Sequence, residues 1–105
     1  MKKVMLACAG GMSSSILVKN LQDAAKAHGK DYKVWTTAGA AVESEIEKEH
    51  PDCILIGPQI AYMVPGTLKP AADAAGIPLE VMGMQAYGTM DGEKVLKQAE
   101  KLLGE

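Results

Sequence analysis

Apolar residues recur along this chain in two rhythms. Val4-Met5-Leu6-Ala7-Cys8 and Cys53-Ile54-Leu55-Ile56 are unbroken apolar runs, closed by Gly10-Gly11 and by Gly57-Pro58. A run without alternation is what a strand covered on both faces of a parallel sheet requires. Residues 32–37 and 77–82 are rich in strand formers and predict two further strands. Elsewhere the spacing turns helical. Ile16, Leu17, Leu21, Ala24 and Ala25 share one face of a helix that starts at Ser13, with Lys19, Asn20, Asp23 and Lys26 opposite and Gly29 as the stop. Val42–Glu49 predicts a short acidic helix halted by His50-Pro51. Residues 61–75 are alanine-rich and predict a helix, although Pro65, Gly66 and Pro70 disturb its first half. A last helix runs from Gly92 or Glu93 to Leu103, buries Val95, Leu96, Ala99, Leu102 and Leu103, and takes Asp91 as its N-cap.

Strands that alternate with helices, joined by connections too long for hairpins, predict an α/β fold: an open four-stranded parallel sheet with helices on both faces. The chain shows no repeat, linker or low-complexity tract, so residues 1–105 are expected to form a single domain. Ligands of such sheets bind beyond the carboxyl ends of the strands, where the strand order reverses. With the first strand central, Cys8 and the loop after it occupy that edge.

Composition narrows the choice of chemistry. With 105 residues, 48% hydrophobic and 23% charged, the chain fits a soluble globular protein and not a disordered or disulfide-stapled one. A net charge of -2 gives no basic field for nucleic acid. All 11 cationic residues are lysines, which excludes every mechanism that needs a guanidinium fork. No apolar stretch approaches the roughly 18 residues of a membrane span, and the amino-terminal apolar run is too short for a signal peptide. A cytoplasmic protein without membrane insertion is therefore expected. Cys8 and Cys53 form no CxxC pair and read as free thiols, and no metal or cofactor is called for.

The segment Cys8-Ala9-Gly10-Gly11-Met12-Ser13-Ser14-Ser15 joins a buried strand to a helix start and combines a nucleophile, two glycines and three hydroxyls. Unpaired N–H groups at a helix N-terminus bind a phosphate dianion, and the helix dipole adds to that attraction. The same positive end is expected to lower the pKa of Cys8 toward the nucleophilic thiolate. Cys8 is thus a candidate phosphoryl acceptor in a phosphatase-like loop. Low-molecular-weight tyrosine phosphatases require cysteine, five residues, then arginine; here Ser14 stands at that place. Their Asp-Pro general acid is also missing, since the chain has Pro51-Asp52 in reverse order. Without a clamp on the transition state or a proton donor, a phosphocysteine should persist.

These residues resemble the enzyme IIB component of the lactose, cellobiose and diacetylchitobiose class of the bacterial sugar phosphotransferase system. The resemblance spans nearly the whole chain. It rests on the Cys8 loop, on Leu55-Ile56-Gly57-Pro58-Gln59-Ile60-Ala61-Tyr62-Met63, and on Tyr87-Gly88 followed by Asp91-Gly92 and Val95-Leu96. The family pattern usually has threonine where Ser14 stands, a change that keeps the hydroxyl. The resemblance implies a phosphoryl relay. The phosphohistidine of a IIA protein donates to Cys8, residues Ala9, Gly10, Gly11, Met12, Ser13, Ser14 and Ser15 hold the phosphoryl group, and Cys8 passes it to a sugar such as cellobiose on the membrane IIC permease. It also implies a monomer that associates with IIC.

Gln59, Tyr62, Met63 and Tyr87 are expected near the same edge as partner-docking residues, with Met12 and Met84 completing an adaptable apolar rim; packing in the core is the competing reading. His28, His50 and the Glu43, Glu45, Glu47, Glu49 series read as solvated helix residues, and Cys53 as inert core. Two other functions use the same loop. A thiol phosphatase or arsenate-reductase-like enzyme would hydrolyse aryl phosphates, and a noncatalytic flavodoxin-like module would hold the phosphate of a flavin.

Overall fold

A computed structural model describes residues 1–9 and 12–105; the side chains of residues 12–14 also lie outside the description. The chain runs β1 (Lys2–Cys8), α1 (Met12–Ala27), β2 (Tyr32–Ala38), α2 (Val42–Glu49), β3 (Cys53–Ile56), α3 (Lys69–Ala75), β4 (Leu79–Val81), α4 (Met84–Gly88) and α5 (Gly92–Leu103). All strand pairs are parallel and the order is β2-β1-β3-β4. This is the four-stranded open sheet that the strand and helix pattern predicts.

β1 is flanked on both sides, and its alternate residues feed two cores. Val4, Leu6 and Cys8 pack with Leu17 and Leu21 of α1 and Val95 and Leu96 of α5. Met5 and Ala7 pack with Val42 and Ile46 of α2 and with Leu68 and Ala72. Burial on both faces is the reason the run has no polar alternation. Helices α1 and α5 cross so closely at Gly92 that a Cβ there would stand 2.4 Å from the Asn20 carbonyl oxygen.

Three departures from the sequence pattern have local causes. The helix expected over 61–75 is broken into a 3-10 stretch at Pro58–Met63, a π turn at Val64–Leu68, and regular helix only from Lys69. Pro65 has no N–H, and in a regular α-helix its ring would collide with the carbonyl of residue 61, so the chain takes the wider turn instead. β4 is shorter than 77–82 because Ile77 N–H donates to Ala72 O and so closes α3. Finally, α4 is one turn long and shows no period that sequence could reveal.

Charge is distributed unevenly along the strand direction. At the amino ends, Lys3 N–H donates to Asp52 Oδ2 at 2.7 Å, Lys3 Nζ to Glu49 O at 2.9 Å, and Lys33 Nζ to Glu49 Oε1 at 3.1 Å. At the carboxyl ends, segments 9–18, 34–42, 53–68 and 81–90 contain no aspartate, glutamate or lysine.

Candidate functional site

Cys8 ends β1 where the connections pass from β2 on one side to β3 on the other, the reversal point of the sheet. Three elements converge on its sulfur. Thr36 of β2 lies on the same face as Val34, which shares the Cys8 core, and its hydroxyl stands near enough to Sγ to favour the thiolate. The Tyr87 hydroxyl of α4 does the same, and the Gln59 side chain in turn favours the Tyr87 phenolate. Gly57 follows β3; its N–H donates to Ala7 O at 2.7 Å and also lies against the sulfur. A Cβ on Gly57 would stand 3.3 Å from Cys8 Sγ and 3.2 Å from Gln59 Oε1.

The electrostatics correct one expectation. Burial pushes the Cys8 thiol up, although Thr36, Tyr87 and Gly57 all pull it down. The expected downward shift neglected the cost of placing a thiolate at the end of a strand with no exposed surface. No charged group figures among the causes, in keeping with the charge-free carboxyl edge. Tyr87 is likewise raised, by burial first and by Cys8 second. Cys53, with no exposed surface, is pushed up to about 12 by burial and is a core residue.

Of the expected phosphate loop, Ala9 is exposed at a bend, Gly10 and Gly11 lie outside the described residues, and Met12, Ser13, Ser14 and Ser15 form the first turn of α1. Ser15 is exposed. The four expected docking residues separate. Tyr62 is 77% exposed, as is Met84 at 80%, whereas Met63 is half-buried with its sulfur against Gly39. Gln59 is exposed beside a groove of about 250 Å³ that Pro58, Met84, Tyr87 and Gly88 also line. Tyr87 is buried and reaches Cys8, so its place is inside the site and not on a rim.

Thr36 is the residue that sequence reasoning missed. Its signal was there: two residues after Val34, on the strand beside the cysteine, period two puts its hydroxyl on the cysteine's face. The histidines stand apart from the site. His28 pairs with Glu93 at 2.7 Å on the surface, and His50 caps α2 in the left-handed region. Chemically, the arrangement is a buried nucleophile ringed by neutral donors. Among the described residues, no cation or carboxylate stands ready to clamp or protonate a reacting group, and no cluster of metal ligands occurs.

Comparison with known proteins agrees with this geometry. Residues 3–98 match the family model described as lactose/cellobiose-specific IIB subunit of the phosphotransferase system. The galactose-specific EIIB component of Lactococcus lactis subsp. cremoris is 43% identical, over 97% of this chain and 96% of that one. The cellobiose-specific EIIB component of Lactococcus lactis subsp. lactis is 43% identical with the same coverage. The oligo-beta-mannoside-specific EIIB component of Bacillus subtilis is 37% identical, over 98% of this chain and 97% of that one. Among solved structures, the lactose-specific IIB domain from Streptococcus pneumoniae shares the fold with a TM-score of 0.82 at 20% identity, covering 96% of each chain. The cellobiose-specific IIB component from Borrelia burgdorferi gives 0.77 at 29% identity, covering 98% of this chain and 92% of that one.

Proposed function

Because the chain belongs to the lactose/cellobiose-specific IIB subunits of the phosphotransferase system, we propose that Cys8 is its phosphoryl-carrying residue. A IIA phosphohistidine loads it, and a sugar held by a membrane IIC protein unloads it. In loading, Sγ bonds to phosphorus as the phosphorus–nitrogen bond breaks, and the thiol proton passes to the freed imidazole nitrogen. In unloading, a sugar hydroxyl oxygen takes the phosphorus, the sulfur–phosphorus bond breaks, and the hydroxyl proton returns to sulfur. The observation that carries this reading is the position of Cys8 at the reversal point of the sheet, four residues before a 16-residue helix. Residues Ala9, Gly10, Gly11, Met12, Ser13, Ser14 and Ser15 are its phosphate loop, with N–H groups of the first helical turn as donors.

Cys8 has no exposed surface, so transfer entails rearrangement around Sγ when the donor docks. Gln59, Tyr62 and the exposed Met84 are the residues a partner meets first on that edge. No helix among the described residues is long and apolar enough to cross a membrane. The proposed carrier is a cytoplasmic monomer that delivers its load by docking on IIC. The relatives carry names of three sugars, galactose, cellobiose and oligo-beta-mannoside, and the proposed cargo is a beta-linked disaccharide such as cellobiose.

Intact-protein mass spectrometry tests the reading, after mixing with phosphoenolpyruvate, the general phosphotransferase proteins and an active IIA. One added phosphoryl group of about 80 Da on the native chain and none on Cys8→Ser is the expected result. An equal adduct on Cys8→Ser, or steady turnover of p-nitrophenyl phosphate by the protein alone, would overturn it.

A further inference from the structure

The negative charge that develops on sulfur during transfer has no cation to meet. Arginine is absent from the chain, and no lysine lies in the four segments at the carboxyl edge. Stabilisation therefore falls on neutral donors, and two of these are side-chain hydroxyls brought from different elements. We propose that the Thr36 hydroxyl, acting together with that of Tyr87, is a catalytic hydrogen-bond donor to Cys8 that strengthens as the sulfur becomes a thiolate. The inference rests on the carrier reading of Cys8.

The placement is built into the sheet. Thr36 pairs in register with Leu6, two residues before the cysteine, so its side chain stands on the face that Cys8 shares. It is half-buried, and its hydroxyl is among the groups that favour a charged Sγ. A hydroxyl bonds weakly to a neutral thiol and about twice as strongly to an anion, more so where water is scarce. The contact thus favours the charged sulfur over the resting one, which is the condition for accelerating a reaction instead of merely binding. The same contact serves both directions, since sulfur gains charge as it is deprotonated for attack and again when it departs from phosphorus. Neutral donors also suit a relay. A thiol made strongly acidic leaves faster but attacks more slowly.

Among the described residues, the groups facing Sγ are Thr36 from β2, the Gly57 N–H after β3 and Tyr87 from α4, while α5 contributes apolar Val95, Leu96 and Ala99 to the same core. Tyr87 is the titratable one. A pH profile of Cys8 reactivity consequently reports on this small set.

The test is iodoacetamide alkylation of the full chain from about pH 6 to about pH 11, read by peptide mass spectrometry so that Cys8 is separated from Cys53. Phosphoryl transfer from IIA is timed in parallel. Thr36→Val keeps the shape and removes the donor; Thr36→Ser keeps the donor; thermal melting confirms that both fold. Thr36→Val is expected to raise the alkylation midpoint of Cys8 by about one pH unit and to slow transfer roughly tenfold, with Thr36→Ser close to the native chain. Tyr87→Phe should shift the midpoint in the same direction. An unchanged midpoint and rate in Thr36→Val, or an equal loss in Thr36→Ser, would overturn the proposal. If the native chain accepts no phosphoryl group while the midpoint still moves, the carrier reading falls and the donor contact to Cys8 stands.

Discussion

Gly57 is a glycine because of its neighbour and not because of its backbone. Its φ of -65° and ψ of 141° are open to any residue. Alanine would nevertheless put a methyl 3.3 Å from Cys8 Sγ, 3.2 Å from Gln59 Oε1 and 3.5 Å from Ala7 O. Unstrained contacts between such atoms lie at about 3.5–4.0 Å, so the thiol and the amide must each give by a few tenths of an ångström. Alanine restricts the unfolded chain and gains about 0.4–1 kcal/mol, while crowding costs about 1–3 kcal/mol. The net loss of about 1 kcal/mol lowers the melting temperature by roughly 5 °C. Function should suffer more. The sulfur is displaced relative to Thr36 and Tyr87, and because a 1 Å misplacement can cost about a hundredfold, a few tenths should cost roughly fourfold. The assay compares a thermal melt with the rate of Cys8 phosphorylation by IIA for Gly57→Ala. Transfer at the native rate, or a loss no larger than the unfolded fraction, would refute the reasoning.

Two further outcomes follow from the same structure. Gly92→Ala would press a methyl to 2.4 Å from Asn20 O and 2.9 Å from Leu21 N, backbone atoms that cannot turn away. The gain of about 1 kcal/mol in helix propensity is outweighed by parting α1 from α5, and a circular-dichroism melt should fall by about 10 °C or more. The charge-free carboxyl edge predicts that the rate of phosphorylation by IIA changes less than about twofold between about 0.05 and 0.5 M salt, whereas Met84→Glu slows it and makes it salt-dependent. A steep salt dependence in the native chain would show that charged side chains do steer the encounter.

What could be read in advance was set by local rules with hard stops. Val42–Glu49 and Cys53–Ile56 begin and end where the pattern places them, since His50-Pro51 and Gly57-Pro58 end each element whatever surrounds it. Asp91 also acts as the expected N-cap, accepting from Lys94 N–H at 3.1 Å. The stretch from Pro58 to Leu68 resisted because its alanines and prolines point in opposite directions, and the wide turn settles the conflict. The Cys8 position at the sheet edge was legible because a strand, two glycines and a helix start are consecutive in the chain. Its acidity was not, since a helix end argues downward while burial, a tertiary property, outweighs it. Tyr87 was assigned to the rim because one exposed turn of helix carries no periodicity to reveal that the ring faces inward.

The distribution of charge argues for a carrier over a hydrolase. The chain is acidic overall, with 13 carboxylates against 11 lysines, yet none of the 24 lies in the segments that surround the cysteine. A carboxylate about 8 Å from a phosphoryl dianion, at an effective dielectric of about 40, would repel it by about 2 kcal/mol, a factor of roughly 30 in rate. A lysine there would bind the dianion by a similar amount and resist its departure. A hydrolase gains from that asymmetry because water is always present to finish the reaction. A carrier must take the group from one protein and surrender it to a sugar on another, so both steps run fastest when neither state is favoured by a fixed charge. Neutral N–H and O–H donors at Cys8 meet that requirement. With no clamp and no general acid among the described residues, they would also leave a sulfur–phosphorus bond at Cys8 slow to hydrolyse between encounters.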